Sequence, residues 1–202
     1  MEVFQDLKLF VPPDKEQAFI DNLIGKAASS SSDCKNKNDF ESSYKKNTAS
    51  LNEIVFCFES HDMTFNKKTL RAFVWMWKKK DFFEVFNIVP SKSGSLDYGE
   101  YNFILNTFYK ELLSDIVEQL KIKTDFSKPN KSMVDLIGKD ASESLIRFSK
   151  NANKTTGNTH PFDFERWCEF VFIIHRNKIP LNIDDFVRWL KEEEDWTDDV
   201  AW

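Results

Sequence analysis

Glycine and proline are scarce, 5 and 6 among 202 residues. A chain so poor in both is no linker, collagen-like repeat or low-complexity tract. Cysteine is rarer still: Cys34, Cys57 and Cys168 lie too far apart for a metal knuckle or a C-x-x-C redox pair. Scattered, odd-numbered thiols fit a reducing compartment, so a cytoplasmic location is expected. No apolar run approaches the roughly 18 residues of a membrane span. Residues 1–10 carry an acid at Glu2 and alternate polar with apolar side chains, unlike a signal peptide. No membrane partner is expected.

Catalytic signatures are missing as well. The three histidines, His61, His160 and His175, do not have the H-E-x-x-H spacing of a zinc site. Neither G-x-S-x-G nor G-x-G-x-x-G occurs. Lys154-Thr155 fails as a phosphate loop, because Asn153 and Phe148 stand where glycines are required. Glu84-Val85-Phe86 lacks the lysine of a nuclease strand. No cofactor and no metal are therefore expected. A broad basic footprint is also lacking, with 28 basic against 33 acidic residues. The nearest approach is the run Lys78-Lys79-Lys80, so nucleic acid is not a favoured partner.

What is present is phenylalanine, 20 of the 202 residues, within a hydrophobic share of 41%. Aromatic side chains bury large areas and dominate cores and interfaces, so a substantial core is expected. Acid is concentrated at one end. Residues 183–202 hold eight carboxylates against Arg188 and Lys191, a net −6 where the whole chain is −5.

Periodicity divides the chain. Val3, Leu7, Leu9 and Val11 alternate as in a strand, and Pro12-Pro13-Asp14 opens a helix over 15–27. Residues 28–50, rich in Ser, Asn and Lys, suggest a loop. Three aromatic and β-branched runs, 53–59, 70–77 and 82–89, predict strands, the last two joined by a hairpin turn at Lys78 to Asp81. A long helix follows over 98–121, with Tyr101, Ile104, Leu105, Phe108, Leu112, Ile116 and Leu120 on one stripe. Residues 121–132 break the pattern. Beyond them helices are expected at 141–148, 161–176 and 183–194. The expected fold is α+β: an antiparallel sheet of about four strands with packed helices over 1–125, then a helical part over 133–202. The pattern leaves open whether the two share one core.

Two segments stand out. The first is a polar loop running into a helix that starts at Pro161. His160 or Thr159 suits the N-cap, Pro161 the first helical position and Asp163 the first turn. Alternatively Asn151, Asn153, Lys154, Thr155 and Thr156 form a ligand loop beside a helix N-terminus, and His160, Asp163 and Arg166 a catalytic group with help from His61. Glu59, His61 and Asp62 are a weaker acid–base cluster. Ser91-Lys92-Ser93-Gly94-Ser95 has the composition of an anion nest or of a plain turn. The run ANKTTGNTHPFDFERW, with the later WLKEEEDW, resembles segments of small uncharacterised bacterial proteins. That resemblance spans residues 149–196, implies a bacterial source and implies no activity.

The second segment is the acidic end. Ile183, Phe186, Val187 and Leu190 make a core stripe, while Trp189 and Trp196 stand among Glu192, Glu193, Glu194, Asp195, Asp198 and Asp199. One reading is a solvated acidic helix end with tryptophans packed back on the domain. The other is a docking surface, with tryptophan hot spots and carboxylates that steer a basic partner. The residues favour a protein-binding factor for a basic protein, as a toxin-neutralising immunity protein or a phage-defence accessory would be. An enzyme using the loop around His160 is one alternative. A nucleic-acid binder using Lys78 to Lys80 and the Lys35 to Lys46 loop is another.

Overall fold

The structure, a computed structural model, describes residues 1–29, 34–48, 53–154 and 160–199, apart from the side chain of His61. The chain forms two compact units, Phe4–Pro129 and Met1–Val3 with Asn130–Trp202. The first, the sheet unit, holds 18 basic and 18 acidic residues; the second, the helical unit, holds 10 and 15. All of the net negative charge therefore belongs to the helical unit.

Among the described residues six antiparallel strands form one sheet in the order β2-β3-β4-β5-β1-β6. They are β1 (Leu7–Phe10), β2 (Cys34–Asn36), β3 (Val55–Phe65), β4 (Lys68–Lys78), β5 (Phe83–Pro90) and β6 (Lys123–Phe126). The expected antiparallel sheet is present, but about four strands is too few, since the described residues hold six. The two extra strands are short edges, β2 and β6, whose sequences CKN and KTDF carry no hydrophobic alternation. The loop expected over 28–50 also contains a helix, α2 (Asn38–Asn47), none of whose residues is buried.

The β3–β4 hairpin turns through Asn66 and Lys67, both with positive φ, 47° and 65°. Two left-handed central residues are what a type I′ turn requires, and its twist suits paired strands. In the next hairpin the Lys79 N–H donates to the Phe82 carbonyl at 2.8 Å. The inward face carries Phe58, Val74, Met76, Phe83 and Val85. These pack with Phe19 and Leu23 of α1 (Glu16–Ala28) and with Ile104, Leu105, Phe108 and Leu112. The latter come from α3 (Tyr98–Phe108) and a π-helical segment (Tyr109–Leu113), which continue into α4 (Ser114–Leu120). Asp97 and Glu100 close a capping box at the start of α3. On the outward face α2 lies across the sheet, with the Phe40 ring 4.9 Å from Phe73 and Tyr44 5.2 Å from Trp75.

The helical unit contains α5 (Met133–Ile137), α6 (Lys139–Asn151), α7 (Pro161–Arg176) and α8 (Ile183–Glu194). Its core gathers Leu145, Phe148, Phe170, Phe186, Trp189, Leu190 and Trp196. Ser132 caps α5 through a capping box, and the Asn182 side chain accepts from the N–H groups of Asp184 and Asp185 to cap α8. No helix among the described residues is long and apolar enough to cross a membrane.

The thiols sit in contrasting surroundings. Cys34 and Cys57 are fully buried and Cys168 is exposed. Burial, followed by the Glu41 carboxylate, pushes the Cys57 thiol from 9.0 up to about 12. A neutral thiol is a poor nucleophile. Maleimide labelling read by mass spectrometry should therefore add one label to the native protein, at Cys168, and three after denaturation.

Candidate functional site

The polar loop and the start of α7 meet at an open cleft of about 580 Å³, lined by Asn151, Ala152, Asn153, His160, Phe162, Asp163 and Arg166. His160 is the N-cap of α7, and its Nδ1 accepts from the Phe162 N–H at 3.2 Å. Asp163 is buried in the first turn and accepts from Arg166 Nη1 at 2.7 Å. The fold thus brings Asn151, Asn153, His160, Asp163 and Arg166 together. Most of them are also occupied in holding the fold. His160 caps, Asp163 and Arg166 hold each other, and Asn151 Nδ2 donates to the Arg147 carbonyl at 2.6 Å. Among the described residues the lining offers two amides, an imidazole, a carboxylate and a guanidinium.

Lys154 does not line this cleft. Its ammonium donates to the Glu194 carbonyl and stands 3.8 Å from the Glu194 carboxylate, across from the last turn of α8. Thr155, Thr156 and Thr159 lie outside the described residues. His61 falls in β3, where the pairing slips between Ser60 and Met63. Asp62 sits at that bulge with φ 49°, 3.4 Å from Arg71, while Glu59 pairs with Lys37 at 3.5 Å. The two carboxylates thus serve different cations, not one acid–base cluster. The serine-rich turn after β5 lines a cleft of about 520 Å³ with Lys68, Arg71 and Glu100. Lys68 is paired with buried Glu100 and Arg71 with Asp62, so both cations face carboxylates already.

At the acidic end the tryptophans turn inward, which agrees with the reading that packs them back on the domain and corrects the one that places Trp189 and Trp196 on a docking surface. Each is only 6% exposed. Trp189 lies on the same side of α8 as Phe186 and Leu190. Trp196 follows Asp195, whose left-handed backbone (φ 55°) ends the helix and folds the chain back. Its ring stacks on Phe148 at 5.5 Å, and its Nε1–H donates to Ser149 Oγ at 2.8 Å. Ser149 in turn donates to Glu194 at 2.7 Å. Carboxylates at a helix C-terminus oppose its dipole; here Lys154 offsets Glu194, and Lys191 lies 3.0 Å from Asp198. Glu192, Glu193, Asp195, Asp198 and Asp199 remain exposed.

One surface was not foreseen from the sequence. The inner side of α7 buries Asp163 and Phe170, with Trp167, Ile173 and Ile174 partly covered. Its outer side carries Phe164, Val171 and Phe172, which are 56%, 44% and 62% exposed, together with exposed Cys168. Positions 164, 168, 171 and 175 advance by four, three and four residues, a single stripe at helical spacing. A helix apolar on opposite sides belongs between two neighbours, and within its unit this one is covered on one side only. The signal was in the run Phe170 to Ile174, FVFII, five apolar residues that cannot share one stripe. Among the described residues no His, Cys, Asp and Glu group is placed to hold a metal ion. No protein-family model matches the chain, and neither curated proteins nor solved structures give a match.

Proposed function

We propose that this chain is a protein-binding factor whose helical unit docks on a basic protein partner. The observation that carries the reading is the open apolar side of α7, set in a unit that holds all of the net negative charge. Covering Phe164, Val171, Phe172 and their neighbours would remove roughly 400 Å² of apolar surface, about 10 kcal/mol gross. Association entropy takes back an amount of that order. The stripe alone therefore gives weak binding, and charge has to add orientation and on-rate. Glu165 and the exposed carboxylates after α8 supply that field. Stoichiometric capture of this kind is the work of a toxin-neutralising immunity protein or a phage-defence accessory. The enzyme alternative has only the convergence at the His160 cleft in its favour, and capping already accounts for His160 and Asp163.

The test uses the full chain, tagged and recovered from its own cells. A basic protein should co-purify in stoichiometric amount at low salt and be lost at high salt. The double variant Phe164→Asp, Phe172→Asp should lose it while circular dichroism stays unchanged, because neither ring is in the core. Recovery of the same partner by the double variant, or a solitary protein at low salt, would sink the reading.

A further inference from the structure

The outward face of the sheet holds an arrangement that docking through α7 does not use. In a sheet with one side toward water, the outward positions are normally polar. Here they include Phe73, Trp75 and Trp77 of β4, Phe86 of β5 and Phe10 of β1, all partly exposed, with Phe82 just before β5. Helix α2 covers Phe73 and Trp75 through Phe40 and Tyr44. Trp77, Phe82, Phe86 and Phe10 continue the aromatic surface beyond that contact. Trp77 meets Phe86 edge-on at 5.4 Å, and Phe10 lies 5.7 Å from Phe82.

Three ammonium groups are set among these rings. Lys79 Nζ stands 3.4 Å from the centroid of Trp77, Lys8 5.5 Å from Phe82, and Lys123 5.5 Å from Phe10. The order Lys8, Phe82, Phe10, Lys123 runs cation, ring, ring, cation. Among the described residues none of the three lysines is within ion-pair distance of a carboxylate. A cation held on a ring keeps its charge available for a second ligand. Neighbouring flat rings flanked by ammonium groups offer stacking surfaces beside cations, the two features that a strand of bases and phosphates needs.

We propose that this face binds single-stranded nucleic acid. Lys79, Lys8 and Lys123 swing from the ring faces to meet phosphates, and bases take their places on Trp77, Phe82 and Phe10. A duplex cannot use the face, because its bases already stack on one another. The basic partner inferred for the helical unit is drawn by carboxylates around α7 and α8, whereas this face offers rings and lysines, so the two surfaces take different occupants. Net charge gave no hint of this, since the sheet unit is neutral overall; of the face only Lys79 falls in the lysine run singled out in the sequence. Glu84 pairs across the strands with both Trp77 and Lys8, and Asp125 stands opposite Lys8. These carboxylates make the face nearly neutral, so affinity rests on stacking more than on counterion release. With about three phosphates neutralised, the slope of log K against log salt should be about −2.

The test is fluorescence anisotropy of the full chain with labelled oligomers of about twelve nucleotides, one DNA and one RNA, and a duplex of equal length. Micromolar binding to at least one single strand is expected, with the duplex at least tenfold weaker. Trp77→Ala should weaken it about tenfold, the weight of one stacked base. Lys79→Glu, which leaves every ring in place, should weaken it by a similar factor, so a folding defect in the first variant cannot decide the outcome. A preference between the two strands would identify which sugar the face reads. Absence of binding, equal affinity for the duplex, or affinity unchanged in both variants would overturn the proposal. It would also be overturned if the variants lost a co-purifying protein but kept the oligomers.

Discussion

Trp196→Ala should lower the stability of the helical unit by about 3–5 kcal/mol, the cost of truncating a buried large aromatic. The tryptophan fills space against Phe148 and donates to Ser149, which is itself fully buried. The variant therefore opens a cavity and also removes the donor that Ser149 accepts from. Against a total stability of roughly 5–15 kcal/mol for a domain, that loss leaves the unit close to unfolding. Urea titration followed by far-ultraviolet circular dichroism will measure it. Glu192→Gln and Asp199→Asn, at exposed positions nearby, should each change stability by no more than about 0.5 kcal/mol. If Trp196→Ala is equally silent, the ring is not part of the core. The contrast also guides design: removing residues 183–202 would take away Phe186, Val187, Trp189, Leu190 and Trp196. Such a deletion tests folding before it tests docking.

In the sheet unit the largest expected effect is Phe58→Ala, again about 3–5 kcal/mol. Phe58 is fully buried on the inward face, with its ring 5.4 Å from Phe108 and 6.2 Å from Phe56. Trp77→Ala, on the outward side of the neighbouring strand, should cost about 1 kcal/mol despite removing more atoms, because that ring is already partly in water. Side chains alternate faces along a strand, so the two variants read the register directly. Comparable losses would mean that both faces of the sheet are buried. The small effect at Trp77 is also what allows that variant to serve as a binding probe.

The central strands and the long helices were legible because their patterns are long and local. β4 and β5 follow dense aromatic and β-branched runs with a charged turn between them, and α7 begins where Pro161 and Asp163 place it. α2 was illegible because nothing in its own sequence drives it: two rings, Phe40 and Tyr44, rest on strands distant in sequence. The π segment left a trace. From Phe108 the stripe steps by four residues to Leu112, Ile116 and Leu120, without the three-residue correction that a 3.6-residue turn needs. At the acidic end, carboxylates on either side left open whether Trp189 and Trp196 face the domain or a partner. Only the angular position of Trp189 beside Phe186 and Leu190, and the reversal at Asp195, place them inside. The aromatic–lysine face was unreadable because its members come from four separate stretches of chain, joined only by strand pairing.

The same strand order has a bearing on how copies of this protein behave when crowded together. An open sheet invites foreign strands at its margins, where backbone N–H and C=O groups lack a neighbour. Here β4 lies inside the sheet, β3 has β2 beside it at residues 58–60, and the outermost strands are β2, three residues, and β6, four residues bearing Lys123 and Asp125. An incoming chain finds too short a template to register against, with charged side chains along one margin. Growth by strand addition onto β2 or β6, the first step toward fibrous aggregates, is disfavoured by the brevity of the two elements that were hardest to see in the sequence.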